Sequence, residues 1–475
     1  MGFADAIKSV VGTQLNKWGK KDYSEDTKEG VASDLTPELT LNIKDEDLLK
    51  LTTDWDKKWE NSTLKGEWLT KAEENEKYWL GKQFGKAETD QNRPLVDNAI
   101  FESLETFLPL ATRRNPEPNV VLAKPQDEEN EVFTALADVV EKQLATLADV
   151  GKLRLKIKKA ARHWSLYMLG VAKLGWSSNE DDITVKVVRP QKLILDPDGT
   201  IDEDGYTGRF IGEYREMEAA ILIKIIDNHA DYIKDLVKDD MGTMVRFKEY
   251  WTNEYMCWIL NDKVLLKKQN PHWNYDVPEK VEETIDEFGQ SVPQVTPAQP
   301  GQNHFSTPKM PYVFLSIFNL GKQPIDETSL ISQNLSQQDL INKRLKQIDR
   351  NADSMNNGMV VSMERSGLTK EQASQVTEAL RKGGTVVIPT GTPADAVARM
   401  PSPGLPTDVY NQLADTRVRL RDIFGVSGST ASGIQNEDTV RGKIITKGLD
   451  TDRIGGGITE YLEQFADDIY NYAVR

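Results

Sequence analysis

Apolar residues recur along this chain first with a helical period, then with a period of two, then with a helical period again. The spacing of Trp55, Trp59, Trp68, Leu69, Ala72, Tyr78, Trp79 and Leu80 predicts helix over 51–83. Asn92–Pro94 breaks the run. Ile100, Leu104, Phe107, Leu108 and Ala111 predict a second helix from Asp97 to Thr112, which must stop before Asn115-Pro116 because the residue ahead of a proline prefers extended backbone. A third helical stretch, 127–169, starts acidic, as the positive end of a helix dipole favours, and carries a possible break at Gly151.

The period then changes to two. Val171–Trp176, Ile183–Val188, Leu193–Leu195, Arg209–Arg215, Met244–Trp251, Tyr255–Leu260 and Val264–Lys267 read as strands, with Asn261-Asp262 as a tight hairpin turn and one helix over 216–238. Seven of the 21 prolines fall within 271–311, which predicts a long surface excursion; Tyr312–Phe318 then returns as a buried strand. Ile341, Leu345, Ile348, Ala352 and Met355 mark a narrow apolar stripe on a long polar helix placed at Asp326–Met355. At the helical rise it is a rod of about 45 Å, and one stripe means one neighbour along its length. Met359–Met363 and Thr385–Pro389 read as short strands around a helix Leu368–Arg381, whose Thr369 and Gln372 have capping-box spacing. A helix Thr407–Phe424, a glycine- and serine-rich loop 425–438, a helical stretch 439–452, a Gly455–Gly457 break and a helix 458–473 complete the pattern. The last periodicity is still running at Arg475, which suggests a chain that continues.

These elements amount to an α+β protein with an antiparallel sheet. Composition narrows the chemistry. The 475 residues carry 59 Lys and Arg against 75 Asp and Glu, a formal charge of −16, so a general non-specific nucleic-acid binder is disfavoured, while a local basic surface or a channel that must not grip DNA remains open. The densest basic patch is Lys152, Arg154, Lys156, Lys158, Lys159 and Arg162. It reads as a solvated or subunit-contacting helix face, with DNA contact as the sharper alternative. One cysteine, Cys257, excludes an internal disulfide framework and a cysteine zinc site, and the four scattered histidines form no ligand motif. Cys257 reads as a buried small hydrophobe. The tryptophans at 55, 59, 68 and 79 read as packing residues, since no Lys/Arg-rich groove interleaves with them to stack bases. No apolar run reaches the roughly 20 residues of a membrane span, and the first 21 residues lack a secretory apolar core. The composition suits a reducing, cytoplasmic setting.

Several suggestive stretches lack the chemistry they imitate. In the acidic run Asp196–Gly205 neither register places Gly and Glu where a calcium loop needs them, so it reads as a turn. Gly425–Gly433 is followed by no Gly-Lys-Ser/Thr and lacks the spacing of a nucleophile elbow. Asp450, Asp452, Asp467 and Asp468 could be imagined as a nuclease cluster, but acidic helix faces are far commoner. No catalytic residue, metal site or cofactor is assigned.

Read in order, the pieces resemble the portal proteins of tailed bacteriophages, over roughly residues 70–470. The resemblance rests on Tyr78–Phe84; on Arg93–Asn98 leading a helix that ends Thr112-Arg113-Arg114-Asn115-Pro116; on Gly170–Trp176 with Val188-Arg189-Pro190 and Asp196-Pro197; on Met310–Phe314 ahead of a helix with Gln338-Asp339 and Ile341-Asn342; and on Phe424-Gly425-Val426 through Gly433.

The family implies a homo-oligomeric ring of about twelve chains at one capsid vertex, with no enzymatic activity. It passes double-stranded DNA and docks the terminase large subunit, then a head-completion or adaptor protein, with the major capsid and scaffolding proteins at its periphery. It belongs to the virion, is assembled in the host cytoplasm, and has no membrane partner. Carried over by position, 1–50 is a partly ordered arm, 51–325 the wing, 326–355 the first stem helix, 356–405 the clip, 406–424 the second stem helix, 425–438 a channel loop and 439–475 wing or crown helices. The channel loop would use Gly425, Val426, Ser427, Gly428, Ser429, Thr430 and Gly433. The residues expected to face DNA are Arg441, Lys443 and Lys447, for which an ordinary solvated helix face is the competing reading. Another virion ring component, such as an adaptor or tail hub, is the alternative; a DNA-processing hydrolase is the third.

Overall fold

A computed structural model gives the architecture. It describes residues 42–84, 95–113, 117–122, 131–177, 182–203, 205–238, 240–276, 280–285, 291–296, 301, 303, 305–357, 359–361, 367–381, 397–399, 405–426 and 457–474.

In chain order the helices and strands begin with α1 (Asp45–Glu60), α2 (Thr63–Trp79), α3 (Ala99–Ala111), α4 (Glu131–Asp149) and α5 (Leu153–Tyr167). There follow β1 (Gly170–Ser177), β2 (Asp182–Val188), β3 (Leu193–Leu195), β4 (Ile201–Asp202), β5 (Gly205–Tyr206), β6 (Ile211–Glu218), α6 (Ala219–Ile225), α7 (Ala230–Val237), β7 (Met244–Trp251), β8 (Tyr255–Leu260) and β9 (Lys263–Gln269). Then come β10 (Lys280–Ile285), β11 (Ser291–Thr296), β12 (Tyr312–Leu315), α8 (Leu335–Asn357), β13 (Met359–Val361), α9 (Lys370–Arg381), β14 (Val397–Arg399), α10 (Thr407–Ile423) and α11 (Ile458–Ala473). The fold is mixed helix and sheet, and every strand pairing is antiparallel among the described residues.

Contacts divide the chain into two compact units. The first holds residues 1–73, 108–329 and 452–475; the second holds 74–107 and 330–451. In the first, a five-stranded sheet runs β3-β6-β7-β8-β9 and a three-stranded sheet runs β12-β1-β2. β8 is buried at every position, so it reads YMCWIL rather than alternating. The Asn261-Asp262 turn closes β8 onto β9, with Asn261 in the left-handed region at φ 53°. α1 packs on the larger sheet: Trp55 stacks on Phe210 with ring centroids 4.6 Å apart, and the Asp56 carboxylate accepts from Tyr250 and Lys248.

α5 and α11 pack against the smaller sheet. Buried Leu462, Phe465, Ala466, Ile469 and Ala473 of α11 recur at three- and four-residue steps, the spacing of one helix face. Burial of each large one contributes about 1.5–3 kcal/mol. α5 meets β1 so closely at Gly170 that an added Cβ would lie 2.7 Å from the Ala160 carbonyl oxygen and 3.0 Å from the Leu315 Cβ. Only glycine permits that approach.

In the second unit α8 and α10 pack against each other. β13 and β14 pair Met359 with Arg399, so the insert closes on itself and α10 returns along α8. The Thr369–Gln372 capping box forms as expected: each residue's side chain accepts from the other's backbone N–H, at 3.1 and 3.4 Å.

Several sequence expectations need correction. The long helix starts at Leu335, not Asp326. Asp326 is instead buried in the preceding loop, where its carboxylate accepts from Trp164 Nε1 and the N–H groups of Ile317 and Phe318 at 2.8 Å each, and from Ser316. The 51–83 helix is two helices, parted at Asn61-Ser62. The 127–169 stretch divides at Gly151, where Lys152 takes φ 53°. The single helix over 216–238 breaks at Ile226, whose extended ψ of 72° interrupts the helical backbone. The proline-rich excursion contains a hairpin, β10–β11, in which Pro293 stands opposite Glu283. Tyr312–Phe318 is strand only to Leu315, because the N–H groups of Ile317 and Phe318 turn to Asp326. The expected strand Thr385–Pro389 lies outside the described residues; the strand found after α9 is β14.

Candidate functional site

The helix pair is organised by amides. Asn98 caps α3, its Oδ1 accepting the Phe101 N–H at 3.1 Å. The next free donor at that helix start, Ile100 N–H, is taken by Gln338 Oε1 of α8 at 3.2 Å, while Gln338 Nε2 donates to the Asp97 carbonyl and to Asn342 Oδ1. Gln338 is fully buried and Asn342 nearly so. An amide suits this place because it donates and accepts without a charge to desolvate. From α10, Arg417 pairs with the Asp97 carboxylate and Arg421 with Glu102 at 2.8 Å. Tyr78 donates to Asp339 at 2.7 Å.

Below that spine α10 buries Leu413, Thr416 and Leu420. The rest of the pair stays open. Val418 is 54% exposed, Tyr410 48% and Ile423 38%. On α8, Leu345 and Ile348 are only half-buried and Ala352 is exposed, so of the predicted stripe Ile341 alone is fully covered among the residues whose side chains are described.

Of the residues assigned to the channel loop, Gly425 and Val426 are described, and they terminate α10. Gly425, at φ 73°, donates its N–H to the Asp422 carbonyl, and Val426 N–H reaches the Arg421 carbonyl, both at 3.0 Å. This paired closure is a Schellman turn, sealed by burial of Val426 near Leu420 and Phe424. Ser427, Gly428, Ser429, Thr430, Gly433, Arg441, Lys443 and Lys447 lie outside the described residues.

The basic patch lies on α5. Lys152, Lys156, Lys158 and Lys159 form no ion pair among the described residues, whereas Arg154 donates to the Thr112 carbonyl at 3.0 Å. The local field is positive: burial, then Lys159, bring His163 down to about 4. The acidic run at Asp196 is a turn closed by cations. Asp196 is buried and bonded to Arg209 at 2.8 Å and Lys58 at 3.0 Å; burial alone would raise its carboxyl, but these partners hold it at about 2. Among the described residues no cluster of His, Cys, Asp and Glu could hold a metal, and no helix is long and apolar enough to cross a membrane.

Cys257 is buried, which pushes its thiol up to about 12 and leaves it unreactive. Trp59 and Trp68 are buried with ring centroids 6.0 Å apart, Trp55 stacks on Phe210, and Trp79 packs on Phe101, so all four serve packing. Asp467 and Asp468 sit on α11; Asp450 and Asp452 lie outside the described residues.

Two features escaped the sequence reading. One is the amide spine, since Gln338 and Asn342 sit where polar residues look like a wet helix face. The other is a buried charge cluster joining the two sheets of the first unit. Lys173 of β1 reaches Glu249 of β7 at 2.7 Å and Glu213 of β6 at 2.9 Å, Arg215 takes the second Glu249 oxygen, and Tyr312 donates to Glu213 at 3.0 Å. Glu249 falls on the alternate positions of β7 that are otherwise apolar and buried, Val245, Phe247 and Trp251, which is the signal that could have exposed it. No protein-family model matches the chain, and no curated protein matches it in sequence.

Proposed function

We propose that this chain is the subunit of a non-enzymatic ring of the portal type, a conduit for double-stranded DNA at a capsid vertex. The observation that carries the reading is the pairing of the 23-residue α8 with the 17-residue α10, in which α8 buries one side on an amide spine and α10 leaves Tyr410, Val418 and Ile423 open. Helices of this kind become covered when neighbours repeat around a closed axis, each contributing a different face to the next. The β13–β14 pairing with α9, a compact insert between the two helices, matches the clip of such a ring in position. The acidic composition suits a wall along which DNA slides rather than sticks. Terminase, capsid, scaffolding and head-completion proteins would be its partners.

Negative-stain imaging of the purified full chain tests the reading. Rings with an axial hole are the expected outcome; a monodisperse monomer across the micromolar range overturns it. Subunit count and profile separate a portal from an adaptor ring. Within the ring, Lys443→Glu is expected to change DNA retention, and unchanged retention removes Lys443 from the DNA-facing set.

A further inference from the structure

Among the described residues, the smaller sheet of the first unit ends in an edge strand beside an open groove. β12 is an edge, with β1 on its other side. Opposed residues in an antiparallel pair alternate between exchanging hydrogen bonds and facing outward. Leu174 N–H donates to the Pro311 carbonyl at 3.0 Å, and the register sets Ala172 against Val313 and Gly170 against Leu315. Pro311, Val313 and Leu315 therefore turn their backbone toward β1. Tyr312 and Phe314 turn theirs away, and among the described residues the Tyr312 carbonyl and both main-chain groups of Phe314 have no hydrogen-bond partner.

Tyr312 and Phe314 line a groove of 690 Å³ together with residues of the β4–β5 hairpin and of α11. Bare sheet edges are sites where another chain adds a strand unless they are covered or charged. Here the charge stands in the walls: Asp202 and Glu203 from the hairpin and Asp468 from α11, against Lys309 at one end. Asp468 is half-buried, and burial raises its carboxyl, so a cation beside it would be favoured. Phe305 and Tyr461 supply aromatic faces.

We propose that this groove is a β-augmentation site. An extended segment of a partner protein, bearing a lysine or arginine, adds as a fourth strand to Tyr312–Leu315. Backbone pairing to Phe314 supplies affinity, and the Asp202, Glu203 and Asp468 walls select the basic side chain. The inference stands apart from the ring reading, since it concerns the first unit alone.

The test uses the full chain and a fluorescein-labelled ten-residue peptide of alternating threonine and valine with one central lysine, followed by anisotropy. Four comparisons decide it: a glutamate in place of the lysine, a peptide N-methylated at alternate amides, and the variants Phe314→Pro and Asp468→Lys. Saturable binding of the lysine peptide is expected, weakened about tenfold or more by each change. Phe314→Pro removes an outward N–H and no internal hydrogen bond, but also the ring stacked on Tyr206 with centroids 5.0 Å apart. The N-methylated peptide, which tests the same pairing without altering the protein, therefore decides between lost pairing and a disturbed groove. The absence of saturable binding overturns the proposal, as does equal binding of the lysine, glutamate and N-methylated peptides. Self-association of the chain that Phe314→Pro abolishes and the peptide displaces assigns the edge to a second copy and overturns the committed partner.

Discussion

In the first unit the buried carboxylate of Glu249 meets two cations, Lys173 and Arg215; in the second the buried polar residues among those described are the amides Gln338, Asn342, Asn334 and Asn75 and the hydroxyls Ser103 and Thr416, with no carboxylate or cation among them. The first unit holds charge inside because each buried acid has its donors: Lys173 and Arg215, both largely covered, for Glu249, Arg209 and Lys58 for Asp196, and neutral N–H and O–H groups for Asp326. The second unit is built from slender helices, and Asp97 and Glu102, the acids it pairs, remain part-exposed. Amides then do the internal joining. A buried ion pair ties two sheets firmly but is costly to break. An amide spine ties helix ends with less at stake, in a unit whose outer helix face is exposed.

The difference can be broken by mutation. The largest expected effect is in the first unit. Lys173→Met leaves Glu249 short of one cation and is expected to cost about 3–5 kcal/mol in urea unfolding followed by the tryptophans of that unit. Next comes Gln338→Ala, which orphans the Ile100 N–H and takes one of two donors from the Asp97 carbonyl, for a loss of about 2 kcal/mol. Trp79, the tryptophan within 74–107 and 330–451, reports it. If Gln338→Ala costs as much as Lys173→Met, the contrast between the units fails.

Acid sharpens the same contrast. Burial alone would raise the Glu249 carboxyl, but Lys173 and then Arg215 hold it at about 2, below its ordinary 4.5. The folded state therefore binds fewer protons than the unfolded state across that window. The stabilisation from Glu249 is complete above the unfolded value and is lost as pH falls through about 2. Asp196, held low in the same way, adds to the loss, while buried Asp326, raised by burial, opposes it by favouring the protonated folded form. The amides of the second unit do not titrate. Acid unfolding monitored by urea midpoint is expected to weaken the first unit more steeply than the second; equal slopes refute this. The smallest effect on stability is at the open helix face. Val418→Asp is expected to shift unfolding by less than about 0.5 kcal/mol, yet to lower the assembled fraction in sedimentation.

Local pattern revealed much of this fold. β7 and β8 stand where the period-two runs put them, α11 spans the predicted residues, and the Thr369–Gln372 box is made. Partners distant in the chain were hidden. Nothing in Tyr312–Leu315 says that it pairs with Gly170–Lys173 some 140 residues earlier, because register across such a separation is set by the whole core. Sequence alone places Asp326 within the long helix, whereas four donors hold its carboxylate in the loop ahead of Leu335. The candidate site was legible as two helices around an insert. The amide spine was not, since a glutamine on a polar helix gives no sign that it will reach a neighbouring helix start.

Gly170 has a use beyond packing. With 2.7 Å between a notional Cβ and the Ala160 carbonyl, the crossing of helix and strand has a fixed gauge that no larger residue can keep. Sequence drift can change the surfaces around it but not that position. A glycine opening a strand just after a tryptophan-bearing helix is thus a fingerprint by which remote kin of this chain can be picked out when overall similarity has faded.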